Sequence, residues 1–330
     1  MTKIYVTVGI PSSGKSFYTK KMNNNNEFKS IRFSSDEIRE ANTSFSNAEV
    51  FDMMSKGVET CLKSGEFGEI YYDATNTSRR RRRGLYRNIK TWDKNAEVII
   101  LFFSIPYFYA LEKNREREGV ARVPDHVILR MHRQLQIPRL GVDCDNFHVI
   151  GIPILEFPTL SIDNPHKVED IFHAIDYSGT DFGKKYWADE IKLSDSPHFC
   201  SPWHEESIFE HINMCIDNSE YLNMKRVSFW HDLGKGICQE IDETGYASYQ
   251  GHANVSAHYY LNYLALTRYS NEIIPNEDLD VVEIISKHMD THNGLGEKNI
   301  RNNRITDNMI ELLEDFAKID KKSRIIKEDE

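Results

Sequence analysis

The stretch "GIPSSGKS" at 9–16 closes an apolar run, "KIYVTVGI" at 3–10, and constrains the fold more than any other feature of the chain. Gly9, Gly14, Lys15 and Ser16 satisfy the spacing G-x-x-x-x-G-K-[ST], after a predicted strand and at the start of a predicted helix, the context that spacing requires. The glycines let backbone N–H groups, those of Ser12 and Ser13 among them, close around phosphate oxygens, and the helix N-terminus adds partial positive charge. Lys15 reaches the β- and γ-phosphates and Ser16 ligates magnesium. Binding of ATP or another nucleoside triphosphate with magnesium is the expectation.

The same alternation of apolar run and helical stretch recurs. "SIRFS" (30–34) leads into "SDEIREAN", "EIYYDAT" (69–75) into "SRRRRRGLYRNIKTW", and "EVIILFFSI" (97–105) into "YFYALEKNRERE". Short apolar runs alternating with helices predict a parallel sheet with helices on both faces. Residues 151–200 are turn-rich, and beyond about 200 the pattern is helical. Ile208, His211, Ile212 and Cys215 share one face; so do Val281, Ile285 and His288, and so do Met309, Leu313, Phe316 and Asp320. The expected organisation is an α/β domain over 1–155, a connecting segment over 156–195 and an all-α domain over 196–330.

Charge divides the chain in the same place. Residues 1–150 carry 24 Lys+Arg against 18 Asp+Glu, and residues 151–330 carry 17 against 33, balances of +6 and −16 within a total of −10. Ten of the 13 histidines fall in the acidic half. No apolar run approaches the ~18 residues of a membrane span, and no secretory signal opens the chain. Five cysteines without a CxxC pair read as free thiols, so a cytoplasmic location is expected.

Candidate residues cluster at the predicted strand tips. Asp36 lies just past the second strand, where a carboxylate can take a hydroxyl proton during in-line transfer, and Arg39 shares its helix face. Asp36 also sits within Ser34-x-x-Glu37, a capping box, and acids favour a first helical turn whatever their function. Asp73, Thr75 and Asn76 occupy the third strand tip. Of the arginines at 79–83, two or three at most can face one way on a helix and grip a polyanion. Arg115, Arg117 and Arg122 lie in a segment that can close over a triphosphate.

On "GIPSSGKS", "SSDEIR", "DATN", the arginine-bearing stretch before "VP" and the closing "CDNFHVIGI", residues 1–150 resemble phage polynucleotide 5′-kinase. The resemblance implies a P-loop kinase domain with Asp36 as general base and Arg39 on the phosphate next to the 5′-hydroxyl. It also implies that Lys15 serves the transferred phosphate and that lid arginines, Arg115 and Arg122 among them, close over it, with Asp73, Thr75 and Asn76 on the substrate side. That family's Asp-x-Asp-Gly-Thr phosphatase motif does not follow.

His231 and Asp232 in "FWHDLGK" are a weak signal alone, and one histidine on an apolar face is commonly a hydrogen-bonded core residue. An Asp finishing an apolar stripe is costly unless paired or bound to a metal, and several such exceptions on separate helices favour one shared cation. The order His211, His231–Asp232, His252, His288, Asp320 resembles the HD phosphohydrolase superfamily over roughly 200–325. The resemblance implies a first shell of His211, His231, Asp232 and Asp320, joined by His252 and His288 if there are two metals. Such a shell admits manganese, nickel, cobalt, iron or zinc. Lys235 either reaches a substrate phosphate or pairs with last-turn carbonyls. His204, His258 and His292 are expected to be outer-shell or surface residues.

A bifunctional nucleic-acid end-healing enzyme is the leading expectation. One half would phosphorylate a 5′-hydroxyl end, RNA more than DNA. The other would act as a metal-dependent 3′-phosphatase and 2′,3′-cyclic phosphodiesterase, preparing ends for a ligase. The alternatives are a small-molecule or nucleoside kinase fused to a nucleotide phosphohydrolase, and a non-catalytic nucleotide-gated binding module. The +6 half fits a polyanionic substrate and the −16 half fits it poorly, so either a local basic channel exists there or that half holds only a terminal nucleotide.

Overall fold

β-Branched and aromatic residues fill the first-half strands, and they pair as expected for a sheet buried on both faces. The computed structural model describes residues 1–24, 29–151, 165–171, 183–197, 205–267, 274–292 and 294–325. Five strands form one parallel sheet in the order β2-β3-β1-β4-β5: β1 Lys3–Val8, β2 Ser30–Ser34, β3 Glu69–Asp73, β4 Glu97–Ser104 and β5 Asn146–Gly151. β4 is buried from Val98 to Ser104, which places helical cover on both its faces.

Helix α1 (Lys15–Asn24) follows β1, α2 (Ser35–Ala41) and α3 (Asn47–Ser64) follow β2, and α4 (Arg79–Trp92) follows β3. α5 (Tyr107–Arg115) follows β4, and α6 (Asp125–Arg133) precedes β5. The capping expected at Ser34 is half formed: its hydroxyl accepts from the Glu37 N–H at 3.5 Å, while Glu37 turns its carboxylate to Arg32 at 2.7 Å. A complete capping box instead opens α3, between Ser46 and Glu49.

Among the described residues the second half is helical, with one two-stranded ribbon, Glu240–Ile241 against Ala247–Ser248. Its main helices are Ile208–Asp217, Leu222–Trp230, His252–Thr267, Asn276–His292 and Asp307–Lys322. The His252–Thr267 helix packs on β4 and β5, where Asn262 Nδ2 donates to the Ser104 carbonyl at 2.8 Å. The apolar core runs continuously from the sheet into these helices.

The 155/156 boundary, much of the connecting segment, Cys200 and His204 lie outside the described residues. Within the connecting segment the described residues 165–171 and 193–195 include turns, while residues 183–192 are helical. Trp187 is fully buried there and stacks on Trp230 with ring centroids 6.0 Å apart. Glu190, also fully buried, accepts from Tyr259 Oη at 2.8 Å and from the Phe108 N–H at 3.2 Å, so it pins the helical half to α5. Glycine and Asp-Phe-Gly read locally as turns, but burial of Tyr186, Trp187 and Ile191 outweighs that preference. Among the described residues no helix is long and apolar enough to cross a membrane.

Candidate active site and candidate metal centre

The loop after β1 has the backbone that phosphate binding needs. Gly14 has φ +85°, and a Cβ at Gly9 would lie 2.9 Å from Phe103 Cβ, so both positions call for glycine. Ser12 takes φ 64°, uncommon for a residue with a side chain, and its buried hydroxyl makes no hydrogen bond. Lys15 folds back over the loop, donating to the Ile10 carbonyl at 2.6 Å and to Ser13 Oγ at 3.1 Å. Burial lowers its pKa to about 8, while the charges of Asp73 and Asp36 push it back up and Arg117 pushes it down. Ser16 follows on the first turn of α1.

Asp36 opens α2 at the tip of β2 and stays exposed. Arg39 Nη1 donates to Asp36 Oδ1 at 3.0 Å, and its Nη2 donates to Asn47 Oδ1 at 3.1 Å. At the next tip, Asp73 is buried and engaged within the sheet: Arg32 Nε donates to Oδ2 at 3.1 Å and Thr19 Oγ1 at 3.2 Å. The Thr75 carbonyl accepts from the Gly9 N–H at 3.0 Å, and Asn76 Nδ2 donates to the Thr7 carbonyl at 2.9 Å. These three residues thus brace the phosphate loop from behind. Arg115 pairs with Asp125 at 2.9 Å, and Arg122 is exposed. Arg117, outside the expected catalytic set, is the arginine of this segment whose charge reaches Lys15.

All six residues of the expected metal shell meet in one buried cluster. His211 Nε2 stands 3.0 Å from Asp320 Oδ1 and 3.4 Å from His231 Nε2. His231 Nε2 stands 3.3 Å from Asp232 Oδ2, and Asp232 Oδ1 lies 3.3 Å from His252 Nε2 and 3.6 Å from His288 Nε2. The ligand atoms form two groups, His211, Cys215, His231 and Asp320 in one and Asp232, His252 and His288 in the other, with Asp232 touching both. Cys215 went unread as a ligand. It lies one turn from His211, with Sγ 3.6 Å from Nε2, but its apolar stripe made it look like core.

The tautomers follow from the backbone. Nδ1 of His211, His231, His252 and His288 lies 2.7–2.8 Å from the carbonyls of Ser323, Ser228, Tyr249 and Ile285. A carbonyl only accepts, so each Nδ1 carries its proton, and in a neutral ring Nε2 then presents a lone pair inward; His211, beside Asp320, is the exception and holds a proton on Nε2 as well. His252 Nε2, His288 Nε2 and Asp232 Oδ1 are therefore three acceptors turned on one another. Asp232 Oδ1 is buried without a hydrogen bond. A cation resolves that conflict, so the residues fit a metal; buried imidazole nitrogens favour a transition metal over magnesium.

Burial lowers the pKa of His231 and His252 and keeps them neutral, as ligands must be. Burial opposes charge on Asp232, but His231 and Lys235 outweigh it and hold the carboxyl well below the carboxylate range. Burial likewise opposes charge on His211, yet Asp320 and Cys215 raise its pKa well above the ordinary value. Lys235 is buried with Nζ 2.7 Å from Asp232 Oδ2, at the metal cluster rather than on last-turn carbonyls alone. His258 is neither outer shell nor surface: it is buried at the seam, edge-on to Phe102 at 5.6 Å. The His292 side chain lies outside the described residues.

A family model described as an AAA domain matches residues 4–138, the phosphate loop and most of the sheet. No curated protein matches the chain at a significant level. Among solved structures, a chain of the Pnkp1/Rnl/Hen1 RNA repair complex is similar at 24% identity, over 41% of this chain and 44% of that one, with a TM-score of 0.34. This chain thus spans less than half of that relative's length. A fungal RNA kinase is similar at 16% identity over 53% and 84%, TM-score 0.33, and a gluconokinase from Sinorhizobium meliloti 1021 at 15% over 48% and 84%, TM-score 0.33. At these scores the likeness is slight.

Proposed function

We propose that the chain heals nucleic-acid ends with two separate sites: a 5′-hydroxyl polynucleotide kinase within 1–155 and an HD-type phosphohydrolase within 196–330. The observation that carries this reading is one chain holding a phosphate loop at the carboxyl end of the sheet's central strand and, on the helices behind it, five buried His and Asp ligands gathered with Asp232. RNA is the favoured substrate, and a ligase would use the product.

On the kinase side, Lys15 and the loop N–H groups hold the β- and γ-phosphates, and Ser16 would ligate the magnesium that accompanies ATP. As the 5′-oxygen bonds to the γ-phosphorus, the bond to the β,γ-bridging oxygen breaks and the nucleoside diphosphate leaves. Asp36, oriented by Arg39, receives the hydroxyl proton. Arg117 and its lid neighbours add charge where it develops on the transferred group.

On the hydrolase side, His211, His231 and Asp320 would hold one cation, His252 and His288 a second, and Asp232 would bridge them. The cations, when bound, lower the pKa of water and polarise a phosphoryl oxygen. Lys235 keeps Asp232 ionised and stands ready beside a terminal phosphate. The Nδ1 carbonyl contacts fix all four rings, so the ligand geometry exists before substrate arrives.

The test is incubation with ATP, magnesium and an RNA bearing a 5′-hydroxyl and a 2′,3′-cyclic phosphate, with manganese, nickel or cobalt added in turn. Both ends should change. Transfer only to free nucleosides, or no 3′-end processing with any metal, would sink the proposal.

A further inference from the structure

The arginine run at 79–83 is only partly spent on folding. Arg82 is buried in an ion pair with Asp143 at 2.8 Å, and Arg81 stands over the Phe51 ring at 5.4 Å. Arg80 and Arg83 instead face a cavity of about 380 Å³ between the two halves of the molecule; Arg79 lines it too, with Nε and Nη2 donating to the Ile137 carbonyl at 3.1 and 2.8 Å and Nη1 to Asn303 Oδ1 at 3.2 Å. Lys287, buried at 5% exposure, brings a fourth cation, and among the described residues Asp290 is the one carboxylate lining the cavity.

The walls come from the elements that carry the two sites. Gln136 accepts from the Arg79 N–H at 2.8 Å and donates its own N–H to the Thr77 carbonyl at 3.0 Å, which fixes the cavity beside the β3 tip. Asn254 lies two residues from His252, and Lys287 is next to His288. At about 100° per residue, Asn254 lies about 200° from His252 and Lys287 about 100° from His288, so neither shares the face of the metal ligands, and the cavity is a binding surface beside the cluster in its own right.

Its chemistry is selective. Four cations against one carboxylate give a local +3 inside a chain of net −10. Asp290 is already shared by Lys287 at 3.2 Å and Asn299 at 2.9 Å, and Arg83 spends one N–H on the Asn302 carbonyl at 2.9 Å. Amides supply most of the remaining lining, and among the described residues no aromatic ring lines it to stack a base. The geometry points to a site for the phosphodiester backbone of a single nucleic-acid strand, passing between the kinase sheet and the metal-bearing helices. Backbone contacts of this kind position a strand without reading its sequence. It also gives the acidic half the local positive channel that a polyanionic substrate demands.

The inference rests on the nucleic-acid reading of the substrate, but its readout is binding without ATP. Anisotropy of a labelled single-stranded RNA is measured against salt for the whole chain, for Arg80→Gln/Arg83→Gln, and for Arg81→Gln as the control from the same run. The double variant should bind more weakly, and its log K against log salt should flatten by about 1.4, two lost contacts at ~0.7 each. Arg81→Gln should match the parent. Arg80→Gln alone, at an exposed position, should flatten it by about 0.7 and serves if the double variant melts early. An unchanged slope in the Arg80 variants, or an equal loss in Arg81→Gln, overturns the site. So does displacement of the RNA by AMP or inorganic phosphate as readily as by unlabelled RNA, which would mark a pocket for small anions. Absent 5′ transfer with the expected slopes would remove the enzyme reading alone; active transfer with unchanged slopes would remove this site alone.

Discussion

His252 Nε2 and His288 Nε2 face each other across 3.1 Å, each with its Nδ1 proton committed to a carbonyl one turn back. Two lone pairs at that distance repel unless a proton or a cation lies between them. Protein freed of metal by chelation should therefore melt lower than protein given manganese, nickel or cobalt. At a hundredfold excess over Kd the gain is about 2.7 kcal/mol, read as a rise in Tm. Asp232→Asn should erase most of that rise, since Asp232 touches both ligand groups. A Tm indifferent to all three metals would count against the cluster as a metal site.

The two candidate sites share no residue, so their losses should separate. Asp36→Ala should cut 5′ phosphorylation by about 10²–10⁴-fold, the usual worth of a general base, and leave 3′-end processing intact. His231→Ala should do the reverse. Gel assays of both ends from one reaction measure the pair, and joint loss in either variant would contradict two independent centres.

Much of this was legible because the ligands interrupt apolar stripes. Asp320 follows Met309, Leu313 and Phe316 on the inner face of its helix, and a carboxylate there is too costly to be incidental. Cys215 escaped for the converse reason, since a thiol belongs in a core as readily as at a metal. Nor can spacing alone separate Arg82, which folds the chain, from Arg80 and Arg83, which face the cavity; that depends on Asp143, 61 residues away. The helix at 183–192 depends on partners equally remote, Trp230 and Tyr259, and its own Gly183 argued for a turn.

Arg82 allows a test of that division. It donates to Asp143 Oδ2, to the Asn76 carbonyl and to the Gln136 carbonyl, each at 2.8 Å, with both ionic partners buried. Arg82→Ala leaves Asp143 charged and unpaired, which costs about 3–5 kcal/mol. Denaturant unfolding should show that loss, whereas Arg81→Ala at the surface should stay within about 0.5 kcal/mol of the parent.

Lys15 predicts a pH dependence for nucleotide binding. In the free protein burial lowers its pKa to about 8; phosphate oxygens favour the ammonium, so the bound value must be higher. A group whose pKa rises on binding contributes fully below its free value and loses that contribution as pH climbs above it. Affinity for ATP should therefore hold steady below about pH 8 and then weaken by up to tenfold per pH unit until the bound pKa is reached. Calorimetry near pH 8 in buffers of different ionisation heat should register proton uptake. Lys15→Met should bind weakly and lose the pH dependence, and a parent affinity that stays flat to pH 10 would show that Lys15 does not carry the charge.

Gly234 is the position where folding and the metal centre meet most directly. It follows His231, Asp232 and Leu233, and its N–H donates to Ser256 Oγ at 2.8 Å on the helix that begins with His252. A Cβ on Gly234 would stand 2.5 Å from the His252 carbonyl and 2.9 Å from the Ser256 nitrogen, both backbone atoms that cannot swing aside. Gly234→Ala must therefore push the His252 helix away from Asp232, stretching the 3.3 Å approach of His252 Nε2 to Asp232 Oδ1. Overpacking of this kind costs about 1–3 kcal/mol. The sharper consequence is for the metals: the group holding His252 and His288 should weaken, while His211, His231 and Asp320, on other helices, should still bind. Metal titration should then fall from two sites towards one in Gly234→Ala, with 5′ phosphorylation unchanged. Retention of both sites at parental affinity would mean that the helices tolerate the extra carbon and that this contact does not position His252.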